Sequence, residues 1–89
     1  MDIAATIVRL LDARAPEASI CPSDVARALV DDETAWRALM PRVRDEASDL
    51  ARDGRIVITR GERQLDPDDL GRGPIRLRRG PAFRVTSSV

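Results

Sequence analysis

The chemistry open to this chain is set by fifteen arginines, eleven aspartates, four glutamates and a single cysteine, Cys21, with no histidine, lysine or tyrosine beside them. General acid–base catalysis near neutral pH usually relies on His, and Schiff-base chemistry requires Lys. Carboxylates and one thiol are what remain, and the chain reads as non-catalytic. A structural zinc takes about four Cys or His ligands, which this composition cannot supply. The acidic run Asp66-Pro67-Asp68-Asp69 lacks the spacing and the terminal Glu of a calcium-binding loop, so neither a metal nor a cofactor is expected. Gly71-Arg72-Gly73-Pro74 does not stand between a strand and a helix, as a phosphate cradle would, and reads as a turn. Cys21 falls at a helix start, where the dipole favours a thiolate. No second Cys exists to resolve an oxidised one, and the neighbouring Ile20 points to a packed thiol.

Binding chemistry is a better match, because the charges are segregated along the chain although they cancel overall. Residues 1–36 hold three Arg and seven acids, net −4, while residues 37–63 and 64–89 each carry net +2. Arg37, Arg42 and Arg44 cluster around one helix, and Arg76 and Arg78 alternate with apolar residues on a strand. These five are the candidate nucleic-acid-binding residues, aimed at the phosphates of double-stranded DNA. Asp45 and Glu46 lie three and four residues after Arg42, and Glu62, Asp66, Asp68 and Asp69 stand in the loop before the strand. These carboxylates leave a second reading open, in which the guanidinium groups pair with a protein partner or a second copy of the chain. Trp36 lies on an apolar stripe and reads as a core anchor rather than a base-stacking platform.

The elements that must position these residues follow from periodicity. Asp2 is a suitable N-cap for a helix over 3–14, in which Ile3, Ile7, Leu10 and Leu11 form one stripe. Pro22 starts a second helix of about two turns with Val25, Ala26 and Leu29 inward. Asp32 is the next N-cap, and Trp36, Leu39, Met40, Val43, Ala47 and Leu50 recur at helical spacing. Pro41 predicts an interruption, with a short turn near 33–39 and the main helix over 41–53, ended by Gly54. Arg55 to Arg60 is β-branched and short, and Ile75 and Leu77 alternate with arginines over 74–79, giving two strands. Residues 66–71 read as one helical turn in the connecting loop. The core expected is Trp36, Leu39, Val43 and Leu50 against Ile7, Leu11, Leu29, Ile56, Ile58 and Leu77.

The resulting fold class is α+β: a winged helix-turn-helix of three helices followed by a two-stranded β-hairpin wing, with the helix at 41–53 in the recognition position and residues 61–73 as the wing. Leu50-x-x-x-Gly54-x-Ile56, where a helix stops directly into a strand, points the same way. Ile20-Cys21-Pro22-Ser23, Val25-Ala26-Arg27, Trp36 to Arg44, Gly54-Arg55-Ile56 and Gly73 to Arg78 together resemble an uncharacterised bacterial domain-of-unknown-function family of small winged-helix-like proteins. The resemblance runs from Ile3 to Arg78; it implies the fold and brings no substrate or active site. A chain of 89 residues forms one domain, placed at 1–79, with 80–89 as a flexible C-terminal tail. With no export signal, disulfide framework or long apolar run, it is expected to be cytoplasmic, with no membrane contact.

Overall fold

The computed structural model describes residues 1–85. Three helices, α1 (Ile3–Asp12), α2 (Pro22–Leu29) and α3 (Glu33–Arg52), precede most of a four-stranded antiparallel sheet made of β1 (Ser19–Ile20), β2 (Ile56–Arg60), β3 (Arg63–Gln64) and β4 (Arg76–Arg79). The strand order is β1-β4-β2-β3, so the fold is α+β with a wider sheet than the expected two-stranded hairpin. The two extra strands have only two residues each, and β3 has no apolar residue to give it a period.

Two aspartates set the helix starts. Asp2 accepts the Ala5 N–H at 2.9 Å, and Asp32 accepts the Ala35 N–H at 3.0 Å, each satisfying a donor that the first helical turn leaves open. α1 ends two residues earlier than expected. α3 runs unbroken from Glu33 to Arg52 through Pro41, contrary to the predicted break. The ring removes one intrahelical bond, to the Arg37 carbonyl. Arg37, Ala38, Pro41 and Arg42 all lie on the exposed side, where water can take that carbonyl, while the apolar stripe opposite stays packed along the helix. At the other end Gly54, at φ +76°, allows Arg55 N–H to reach Leu50 O (3.1 Å) and Gly54 N–H to reach Ala51 O (3.0 Å). This closure turns the chain straight into β2.

Ile20, Leu77 and Ile58 are register partners across β1, β4 and β2, and all three are buried. They present one face of the sheet to Ile7, Leu11, Val25, Val43, Ala47 and Leu50 on the helices. Ile3, Val8, Ala26, Ile56 and Ile75 complete the buried set. Leu29, Trp36 and Leu39, expected inside, are only partly buried against this core.

The β2–β3 hairpin turns on Gly61-Glu62, with Gly61 at φ +60°, which suits the first position of a two-residue hairpin loop. The expected helical turn at 66–71 does not form. The Asp66 side chain accepts the Asp68 N–H at 2.8 Å, and its carbonyl accepts the Asp69 N–H at 2.9 Å, a local turn that competes with helix. The segment expected as a tail begins with Gly80 N–H bonded to Arg55 O (2.9 Å) and Ala82 N–H to Gly54 O (2.8 Å), so 80–83 folds back on the start of β2. Residues 86–89 of that tail lie outside the described residues.

Gly80 makes this return possible by having no side chain. A Cβ there would stand 2.4 Å from the Gly54 carbonyl oxygen and 2.9 Å from backbone atoms of Ile56. Gly80→Ala must therefore displace main chain at the α3–β2 junction, at a cost of about 1–3 kcal/mol. Thermal unfolding followed by circular dichroism should show a midpoint lowered by about 4–8 °C per kcal/mol; an unchanged midpoint would mean the junction is looser than described.

Candidate nucleic-acid interface

The segment between β3 and β4 is held by arginines as well as by the packing of Leu65, Leu70 and Ile75. Arg44, on the flank of α3, donates to the carbonyls of Gly71 (3.0 Å) and Gly73 (3.4 Å). Arg60, at the end of β2, donates to Leu70 (2.9 Å), Pro74 (3.2 Å) and Gly73 (3.5 Å). Arg52 pairs with Asp68 at 2.7 Å and Asp49 at 2.6 Å. Its hydrogen bond to Asp68 raises its pKa further above the ordinary arginine value, so it is charged at every relevant pH. The loop is thus drawn against α3 and β2 instead of projecting freely.

Arg76 and Arg78 occupy the opposite side of the sheet. They alternate with buried Leu77, and their row partners are Thr59, Val57 and Ser19 rather than the core residues. Arg76 donates to the Ser19 hydroxyl (2.9 Å) and carbonyl (3.0 Å), and Arg78 to the Glu17 carbonyl (2.9 Å). Both fasten the loop before β1. The five candidate residues therefore do not share one surface: Arg37 and Arg42 are on the exposed side of α3, Arg44 faces the loop, and Arg76 and Arg78 lie behind the sheet.

The exposed side of α3 changes sign halfway. Its first half shows Glu33, Thr34, Arg37, Ala38, Pro41 and Arg42; its second half shows Asp45, Asp49 and Arg52, followed by the cap Asp53. Arg42 makes no ion pair or hydrogen bond among the described residues, and the pairs with Asp45 and Glu46 suggested by spacing do not form. Arg37 lies 3.8 Å from Glu33, and its guanidinium carbon is 5.3 Å from the centre of the Trp36 ring. Arg27, from the last turn of α2, stands over the same ring at 4.6 Å. Arg27, Arg52, Arg60 and Arg79 were not among the candidates from sequence. For Arg60 and Arg79 a signal existed: they continue the inward parity of Ile56, Ile58 and Leu77, and a charged group at such a position must find acceptors.

Asp45, Ser48, Asp49, Arg52, Pro67, Asp68 and Leu70 line an open groove of about 380 Å³. Among the described residues no three His, Cys, Asp or Glu side chains converge as a metal site. Cys21 is half-buried, its sulfur accepting from Ser23 Oγ at 3.1 Å, while Asp24 accepts the Cys21 N–H at 2.9 Å. No helix among the described residues is long and apolar enough to cross a membrane.

Residues 1–80 match the model of a family described as "Protein of unknown function (DUF3253)", and the chain belongs to that family. No curated protein matches it.

The loop clamp generates a prediction of its own. Arg44→Ala should cost about 1 kcal/mol, the worth of exposed charge-assisted bonds after solvent screening. It should also speed hydrogen exchange at the amides of 70–73 while leaving those of α1 unchanged. Unaltered exchange in the loop would show that Arg60 and the Arg52–Asp68 pair hold it without Arg44.

Proposed function

We propose that this member of the DUF3253 family is a non-catalytic binding module of the winged helix-turn-helix type that contacts double-stranded DNA through the first half of α3. Several features support the reading. The order of helices and strands, with β1 joining β4 and a hairpin following α3, is that of a winged helix. α2 packs chiefly on α3, as the two helices of a helix-turn-helix do. In such modules the N-terminal residues of the second helix meet base edges and flanking phosphates. The observation that carries the reading is that Arg37 and Arg42 stand exposed on this half of α3, where Glu33 in the first turn is the one exposed carboxylate, while Asp45 and Asp49 lie in the other half. Arg63, beside the hairpin turn, and Arg72 in the following loop are exposed too, among the exposed carboxylates of Glu62, Asp66, Asp68 and Asp69. Arg44, Arg76 and Arg78 serve the fold in this reading.

A protein partner is the second reading, and one observation favours it. Asp45 and Asp49 are exposed on the same helix as Arg37 and Arg42, and carboxylates facing a duplex weaken its binding, whereas a protein surface of mixed charge can match both halves.

Salt dependence separates the two. Neutralising phosphates releases counterions, so log K should fall with log salt at a slope of about −0.9 per phosphate contact. With a labelled mixed-sequence duplex, two or three contacts give a slope of about −2 to −3. Arg42→Ala should flatten it by about one, and Arg78→Ala, behind the sheet, should leave it unchanged. If the duplex is not bound even at low salt, the DNA reading fails. A sedimentation series in protein concentration then tests self-association.

A further inference from the structure

Trp36 is the one tryptophan of the chain, and its surroundings differ from those of a core residue. It is partly buried, packed against the core, with the guanidinium carbons of Arg27 and Arg37 at 4.6 and 5.3 Å from the ring centre. The two charges come from different helices and meet over one indole. The ring quadrupole attracts each of these cations.

How a guanidinium is held decides what it can still bind. Arg44, Arg60, Arg76, Arg78 and Arg79 donate edge N–H groups to main-chain carbonyls, so part of their hydrogen-bonding capacity is already used. An arginine over an aromatic ring is attracted by the ring quadrupole, a contact that commits no N–H donor to a hydrogen bond. Arg27 makes no hydrogen bond or ion pair among the described residues, and Arg37 has only the 3.8 Å approach of Glu33. Arg42, Arg63 and Arg72 also have uncommitted donors, but no ring contact among the described residues fixes them. Arg27 and Arg37 thus combine a ring contact with uncommitted donors, and a contact that favours one placement of the side chain lowers the ordering cost of gripping an anion.

We infer that Arg27 and Arg37, positioned by Trp36, form a backbone-phosphate anchor for duplex DNA at the corner where α2 meets the start of α3. The inference rests on the DNA reading above and adds to it a contact from α2 and a role for the indole. Trp36 is here a positioning residue that stacks on the protein's own arginines rather than on a base. Loss of Arg27 removes one phosphate contact, whereas loss of the ring leaves both charges in place but unfixed. The two changes therefore have different signatures in salt.

The test uses the full chain and a labelled mixed-sequence duplex titrated by anisotropy from low to moderate salt. Arg27→Ala should weaken binding about tenfold and flatten the salt slope by about one. Trp36→Leu, which keeps apolar packing without the quadrupole, should weaken binding several-fold with the slope unchanged, and Trp36→Phe should recover part of the loss. Each variant's thermal midpoint is measured alongside, and the Phe variant covers the case in which the Leu variant does not fold. With no tyrosine in the chain, Trp36 emission is free of tyrosine background and should change on saturation with duplex. If the parent binds but Arg27→Ala matches it in affinity and slope, or if the emission is unmoved at saturation, the anchor is overturned while the DNA reading stands. If the parent does not bind at low salt, both fall.

Discussion

Guanidinium groups donating to main-chain carbonyls hold together what this small core does not reach. At the end of α1 Arg79 donates to the carbonyls of Leu11 (3.1 Å), which also accepts the Arg14 N–H, and of Arg14 (3.0 Å), with Asp12 at 3.5 Å. The loop before β1 is tied to β4 by Arg76 and Arg78, and the loop before β4 to α3 and β2 by Arg44 and Arg60. A helix end or an irregular segment with unsatisfied carbonyls is costly near the protein interior. A planar group with five donors answers several such carbonyls at once. Arg55 extends the same pattern to the C-terminal return, donating to the Arg84 carbonyl at 2.9 Å.

The continuity of α3 is the second determinant. Because Asp32 caps the helix and the apolar stripe remains packed beneath Pro41, the helix gains its residues 33–40. Those residues carry Trp36 and Arg37. The surface that a recognition helix would offer therefore starts earlier than a break at Pro41 implies, and it differs in charge: residues 34–42 show arginines, and 45–53 show mainly carboxylates.

What could be read from the sequence divides along a physical line. The caps at Asp2 and Asp32, the stop at Gly54 and the inward rows of β2 and β4 were legible, because each depends on residue types at short, fixed spacing. β1 and β3 were not, since two residues carry no period. The clamps were hidden for another reason. Their acceptors are carbonyls, which every residue has, at separations of up to 68 positions, so no residue type marks the partner. For the same reason the five candidate arginines looked equivalent in sequence while the fold separates them. The family level of the resemblance holds: the chain belongs to a family of unknown function.

Retained charge and free donors are different properties, and the interface reading turns on the difference. An arginine bonded to a carbonyl remains a cation and still contributes to the field. Within a Debye length of about 8–10 Å at ordinary salt, however, its field overlaps those of neighbouring carboxylates, as around Asp49, Arg52 and Asp68. A cation whose donors face the main chain, close to opposite charges, offers a phosphate little beyond a weakened attraction. A cation over an aromatic ring has the opposite character, because it keeps its full charge and the contact commits none of its donors. The zero net charge is thus compatible with anion recognition at one place, provided that place gathers arginines of the second kind and keeps carboxylates at a distance. The corner of α2 and α3 meets the first condition through Trp36 and the second incompletely, since Asp31, Asp32 and Glu33 are exposed at the start of α3 and Glu33 lies 3.8 Å from Arg37. That exposed pair is weak enough for a phosphate, with stronger charge-assisted bonds, to replace it.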